Sequence, residues 1–126
     1  MRICVCLFFM MSLSMHAQVT FQDLLQPPAE NWLSYSGDLT GRRHSLLKQI
    51  ATGNVNQLVP QWIFHVPESK RLQATPVVVN GLMYVTDSNQ VFALDAGTGR
   101  SIWHFKQVEA KQTLGNRGVA VLGDRV

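Results

Sequence analysis

Beyond residue 6 the sequence contains no cysteine, and its two, Cys4 and Cys6, both lie in one N-terminal apolar run. The rest of the chain therefore has no means of forming an intrachain disulfide, a thiolate metal site or a thiol nucleophile. That apolar run, residues 3–11, falls well short of the roughly 18–20 apolar residues needed to cross a bilayer. Charge of one sign is not gathered anywhere. Lys and Arg number 11 against 8 Asp and Glu, a net charge of +3, and basic residues adjoin only at Arg42-Arg43 and Lys70-Arg71. A nucleic-acid surface collects its cations on one face or helix, so these read as solvated surface and nucleic acid is not an expected partner. There is no Ser/His/Asp nucleophile set, no paired carboxylates and no phosphate-binding glycine loop. Gly97-Thr98-Gly99 reads as a turn. His44, His65 and His104 are dispersed without ligand spacing, and a metal site needs several converging ligands, so structural or surface roles are expected for them.

What is present is a chain of 126 residues, 46% hydrophobic, with mean hydropathy +0.03. Those values belong to a folded, globular sequence of about one domain. Its first residues carry an address. Arg2 supplies a positive start, residues 3–11 an apolar core, and Ser12, Leu13, Ser14, Met15, His16 and Ala17 lead to Gln18. A charged start, a short apolar core and a small residue at the cut describe a secretory signal peptide. Residues 1–17 are therefore expected to be removed after Ala17, placing residues 18–126 in the periplasm or outside the cell. The alternative, a buried N-terminal strand or helix, fits less well because no polar residue alternates with this run.

After the leader, Thr20-Phe21-Gln22-Asp23 resembles a capping box and predicts a short helix through Leu25. Pro27-Pro28 ends it, since proline cannot extend the amide ladder. Residues 31–41 are rich in turn formers and read as an ordered loop pinned by Trp32 and Tyr35. Asn54 is expected to cap one helical turn before Leu58. From Gln61 the apolar period becomes two. Trp62-Ile63-Phe64-His65-Val66 is strand-like, and further strands are predicted near 76–79, 82–86, 91–94 and 101–105. Asn80-Gly81 is the strongest hairpin signal, because both central turn positions require positive φ. Four short strands in a meander amount to one propeller blade.

Two repeats support the blade. Trp62 and Trp103 lie 41 residues apart, and the segment Val77 to Met83 reappears 43 residues later from Ala120 to Val126. Periods of about 40–50 residues with four strands each are characteristic of propellers, although valine-rich hairpins also resemble one another by chance. The stretch Ala93-Leu94-Asp95-Ala96-Gly97-Thr98-Gly99-Arg100-Ser101-Ile102-Trp103 resembles the tryptophan-docking motif of quinoprotein propellers, with Ala, Gly and Trp at the first, seventh and eleventh places. Asp95 is suited to accept turn amides, and Gly99 to a reversal that a Cβ would obstruct. Trp103 is expected to lie flat, largely buried, against a neighbouring blade. The plainer reading is a hairpin with a core tryptophan.

Further blocks in order, Asn31-Trp32-Leu33-Ser34-Tyr35-Ser36-Gly37-Asp38, Arg43-His44-Ser45, Asn54-Val55-Asn56-Gln57-Leu58 and Asn116-Arg117-Gly118, resemble the N-terminal end of PQQ-dependent (quinoprotein) alcohol dehydrogenases. The resemblance implies an all-β fold, about the first two blades of an eight-bladed β-propeller. It implies PQQ with a neighbouring calcium ion, oxidation of alcohols or sugar alcohols, and cytochrome c or a membrane quinone as electron acceptor. Where the family has a glutamate touching the quinone, this chain has Gln73, whose other reading is an exposed polar residue entering a strand. Arg117 matches the family arginine that pairs with a PQQ carboxylate, the alternative being an ordinary loop arginine. The family's adjacent cysteines fall on Lys111 and Gln112, so its strained disulfide is absent. That weakens the case for a methanol- or ethanol-type enzyme and leaves related quinoproteins open. Calcium ligands and the catalytic aspartate are expected in later blades, which makes the chain a truncated piece, inactive alone. A propeller that binds no cofactor and acts as an envelope scaffold is the alternative function.

Overall fold

The computed structural model describes residues 19–69, 71–108 and 116–126. The leader, and Lys111 and Gln112, lie outside the described residues. The helix forms where the capping box predicts it. In α1 (Phe21–Leu25), the Thr20 hydroxyl accepts from the Asp23 amide and the Asp23 carboxylate accepts from the Thr20 amide. Each bond satisfies an amide that the first helical turn leaves without a partner. Asn54 departs from expectation. It precedes the 3-10 turn Val55–Gln57 but does not cap it. Its side chain instead accepts from the Ala51 amide and donates to the Gln49 carbonyl, closing the loop behind it.

Four antiparallel strands follow in a simple meander: β1 (Val77–Val79), β2 (Leu82–Asp87), β3 (Gln90–Asp95) and β4 (Ser101–Lys106). The β1–β2 turn has Asn80 at φ 48° and Gly81 at φ 80°, the left-handed pair that a two-residue hairpin requires. A two-residue turn recurs 43 residues on, where Leu122 and Arg125 exchange both backbone hydrogen bonds around Gly123-Asp124, although there only the first central residue, Gly123 at φ 61°, is left-handed. The repeat read from the sequence is therefore a repeat of pairing, with a different turn at its tip. Trp62-Ile63-Phe64-His65-Val66 is not a strand. Its side chains nevertheless serve the sheet, because Phe64 and Val66 cover the cluster Val85, Phe92 and Leu94 on one face.

The pairing register explains both faces. Val77, Tyr84, Ala93 and Trp103 form one cross-strand row, and since side chains alternate across a sheet they share a face. There Val19, Leu33 and Val121 pack against Val77, Val79, Tyr84 and Ala93. On the opposite face His104 stacks on Phe92 with ring centroids 4.1 Å apart. Gln90, buried at the start of β3, turns its Nε2 to the Pro67 carbonyl. Its Oε1 therefore accepts from His104 Nε2 at 3.1 Å, which places the proton on that nitrogen.

Trp103 corrects an expectation. It is 40% exposed, touching Tyr84 at 5.9 Å between centroids, and every residue of β4 is exposed. Among the described residues, nothing covers this end of the sheet. The tryptophan that docks is Trp62. Its Nε1 donates to the Ala96 carbonyl at 3.2 Å, inside the eleven-residue motif. Its ring fills the place where a Cβ on Gly99 would stand, 2.5 Å from the nearest ring carbon. Gly99 also has φ 72°, a region that costs an L-residue about 1–2 kcal/mol.

Gly99→Ala combines that backbone cost with overpacking of about 1–3 kcal/mol, so unfolding free energy should fall by about 2–5 kcal/mol. Urea denaturation followed by tryptophan fluorescence checks this. A loss within the ordinary surface range of about 0.5 kcal/mol would mean that the indole does not sit on the glycine.

Candidate functional site

Two loop segments meet where the sequence placed its cofactor contacts. The Thr75 amide, just ahead of β1, donates to the Arg117 carbonyl at 3.2 Å. Gln73 lies two residues before that tie and Arg117 within it, so one backbone hydrogen bond joins the neighbourhoods of both. Both residues are exposed. Among the described residues neither side chain has a hydrogen-bond or ion-pair partner, which leaves their N–H donors to solvent or a ligand.

The turn that carries Arg117 is fixed locally. Asn116 Oδ1 accepts from the Gly118 amide at 3.1 Å, a side-chain turn typical of asparagine. Gly118 has φ 148°, and a Cβ there would lie 3.4 Å from the Thr75 carbonyl oxygen. The Thr86 hydroxyl, at the buried end of β2, donates to the Asn116 carbonyl at 3.2 Å. Sequence reasoning had singled out the Asn-Arg-Gly triplet but missed Thr86. The Asn-x-Gly spacing was a signal for the turn itself, whereas a bond spanning 30 residues left no local trace.

The opposite border of β1 is held by the N-terminal segment. Trp32 exchanges both backbone hydrogen bonds with Val78, at 2.8 and 2.9 Å. Asn31 clasps the hairpin turn, its Oδ1 accepting from the Asn80 amide and its Nδ2 donating to Asn80 Oδ1. A Cβ on Gly37, at φ 85°, would meet the Trp32 ring at 2.9 Å. The block that began the family resemblance is thus a brace on the inner strand.

Between the end of α1 and this brace lies a cavity of about 260 Å³, lined among others by Pro27, Pro28, Trp32, Asp38, Arg42 and His44. Asp38 is its anchored acid. Oδ1 accepts from the amide and hydroxyl of Thr40 and the amide of Gly41, and Oδ2 pairs with Arg42 at 3.0 Å. The Thr40 hydroxyl first, then Arg42, hold its carboxyl at about 2, below the ordinary 3.8. In the docking-motif turn, Asp95 is likewise lowered, chiefly by the Thr98 hydroxyl. Arg43 lies over the Tyr35 ring, 4.7 Å from its centroid. Of the described histidines, only His104 has a structural partner, and His44 and His65 are exposed. Among the described residues no group of three or more His, Cys, Asp or Glu converges to hold a metal ion.

A four-stranded antiparallel blade, a docked tryptophan and a second hairpin 43 residues on define a propeller module. The family model for the glucose/ethanol/alcohol dehydrogenase β-propeller domain, a PQQ family, matches residues 32–125. The quinohemoprotein alcohol dehydrogenase ADH-IIG of Pseudomonas putida is 38% identical over 104 residues, covering 76% of this chain and 14% of that protein. A 1-butanol dehydrogenase (cytochrome c) of Thauera butanivorans is 37% identical over 98 residues, 71% of this chain and 14% of its own. The crystal structure of the quinohemoprotein alcohol dehydrogenase from Comamonas testosteroni superposes with a TM-score of 0.75 at 31% identity, over 85% of this chain and 18% of that one. This chain belongs to the PQQ-dependent alcohol dehydrogenase family, and its fold is part of that family's β-propeller. It spans about one-seventh of the length of these curated relatives.

The Asp38 anchor has a definite pH signature. Its folded pKa is depressed, so the order it lends to residues 38–42 is complete above 3.8 and is lost as pH falls through about 2. Carboxyl carbon shifts followed by NMR should place its midpoint near that lower value. A midpoint at or above 3.8 would show that the Thr40 and Arg42 bonds do not persist in solution.

Proposed function

We propose that this chain is part of an exported PQQ-dependent dehydrogenase that oxidises alcohols or sugar alcohols. The observation that carries the reading is the match of residues 32–125 to the dehydrogenase propeller family. In this proposal Arg117 is the carboxylate partner. Its planar guanidinium offers paired N–H donors that suit a carboxylate in two parallel bonds, and the fixed turn beneath it limits where that fork can point. Gln73 supplies a neutral amide where the family has a carboxylate. An amide can donate to the cofactor's oxygens without repelling their negative charge, so the change is compatible with binding.

The donor set fits PQQ: an exposed guanidinium and an exposed amide lie in two segments joined by the Thr75–Arg117 bond. PQQ, when bound, supplies an ortho-quinone that takes up the electrons of the alcohol carbon. Calcium is proposed beside it as the Lewis acid, with its ligands and the aspartate base in later blades. The electrons would pass to a cytochrome c or a membrane quinone. A cofactor-free scaffold has no specific observation in its favour.

Titrating the chain with PQQ should give saturable tryptophan quenching. Arg117→Ala should weaken it roughly tenfold or more, the scale of a lost charge-assisted hydrogen bond. An unchanged dissociation constant would remove Arg117 from the cofactor site. Gln73→Glu should bind no more tightly than the native chain, since it restores a repelling charge.

Export is the second half of the proposal. Arg2 and the apolar run of residues 3–11 direct the chain out of the cytoplasm, with cleavage after Ala17. N-terminal sequencing of protein from the exported fraction should read Gln18 first. Recovery of an intact Met1 there would refute it.

A further inference from the structure

Arg117 stands on a backbone restrained from three directions. The Asn116 carbonyl before it accepts from Thr86 Oγ1 at 3.2 Å, its own carbonyl accepts from the Thr75 amide at 3.2 Å, and Gly118 after it donates to Asn116 Oδ1 at 3.1 Å. The first of these is the unexpected one. Thr86 is fully buried, at 0% exposure, in a strand whose ladder with β3 is continuous, with Thr86 opposite Val91. The sheet does not need that hydroxyl. A buried hydroxyl without a partner is costly, while the same hydroxyl bonded to a carbonyl stabilises both groups. A valine would fill the same space without the polar atom. The bond crosses from the blade interior to a loop and ends one residue from the guanidinium.

We propose that Thr86 is a positioning residue for anion capture at Arg117. Its buried hydroxyl holds the Asn116 carbonyl and thereby aims the guanidinium at a carboxylate of the ligand. The proposal rests on the reading of Arg117 as the cofactor's carboxylate partner. The physical gain is preorganisation. A bidentate guanidinium–carboxylate pair is sensitive to direction, and a loop already fixed loses less freedom on binding than one that must be ordered. Asn116 contributes from the exposed side through its own turn, and Thr75 from the strand entry. Among the described residues, Thr86 is the buried side chain that hydrogen-bonds the turn to the blade.

The 126-residue chain would be prepared in its native form and as Thr86→Val, Thr86→Ser and Arg117→Lys. Amide exchange is followed by NMR and PQQ binding by tryptophan quenching. Thr86→Val should speed exchange at the Thr75 and Gly118 amides roughly three- to tenfold, the scale of one hydrogen bond. Exchange at Met83 and Val85, within the blade, should stay unchanged. PQQ affinity should fall by a similar factor, and Thr86→Ser should restore both. In the native chain the Thr86 hydroxyl proton should exchange slowly enough to be observed, a measurement that stands even if Thr86→Val does not fold. A fast-exchanging hydroxyl, unchanged exchange at Thr75 and Gly118, or a serine variant that behaves like valine overturns the proposal. The reading of Arg117 fails separately. If Arg117→Lys binds PQQ like the native chain, the cofactor role falls. If it binds weakly while Thr86→Val binds normally, only the positioning role falls.

Discussion

The volume that a side chain on Gly99 would occupy is filled by the indole of Trp62, and the same indole donates from Nε1 to the carbonyl of Ala96. Two constraints are thereby met at one turn. The backbone reverses at a positive φ open to glycine, and the segment before β1 is fastened to the turn between β3 and β4, 34 residues on. Once Trp62 is seated, Phe64 and Val66 fall over Val85, Phe92 and Leu94 and close one face of the sheet. That face then has a core without a fifth strand. The indole–glycine contact thus turns a bare meander into a packed blade, and the positions of Thr75, Thr86 and the Arg117 turn depend on that blade.

The opposite face is closed differently. Val19, Leu33 and Val121 come from three separate stretches of chain and converge on Val77, Val79, Tyr84 and Ala93. Branched residues from distant segments supply the burial that a small sheet lacks by itself. At the far end, the exposed Lys106–Glu68 pair at 2.6 Å joins β4 to the turn before β1, although a solvated pair of this kind adds little stability. Trp103 keeps an uncovered face, and among the described residues no glycine lies against its ring as Gly99 lies against Trp62. Trp62 shows what such a seat looks like.

How much of this was legible in the sequence follows from the range of each interaction. The capping box at Thr20 and Asp23, the hairpin at Asn80-Gly81 and the Asp95 turn are satisfied within a few residues, so composition and spacing revealed them. The 43-residue repeat was also readable, because Gly123-Asp124 likewise joins its flanking residues through a two-residue turn. The role of Trp62 was not, since the motif pointed to its own Trp103 and a bond spanning 34 residues leaves no local trace. For the same reason Trp62 to Val66 looked like a strand, although its alternation serves packing without any ladder. At the candidate site, Gln73 and Arg117 were named by resemblance, and the structure adds the backbone tie between their segments. Thr86 was invisible because a threonine in a strand is ordinary until its hydroxyl is seen to leave the sheet.

The distances along the chain over which these bonds close also set an order of assembly. The β2–β3 and β3–β4 pairings join neighbours and close short loops, whereas the Asn31–Asn80 clasp spans 49 residues and the Val19–Gly123 bridge nearly the whole described chain. Loop-closure entropy rises with each such span, and contacts of long sequence separation form late and slowly. The meander therefore closes with the least loop entropy, and the N-terminal segment closes the longest loops. Without that segment β1 would have a free edge, with the amide and carbonyl of Val78 open to any extended strand nearby. The Trp32 brace occupies that edge, and so shields it from mispairing as well as holding it in place.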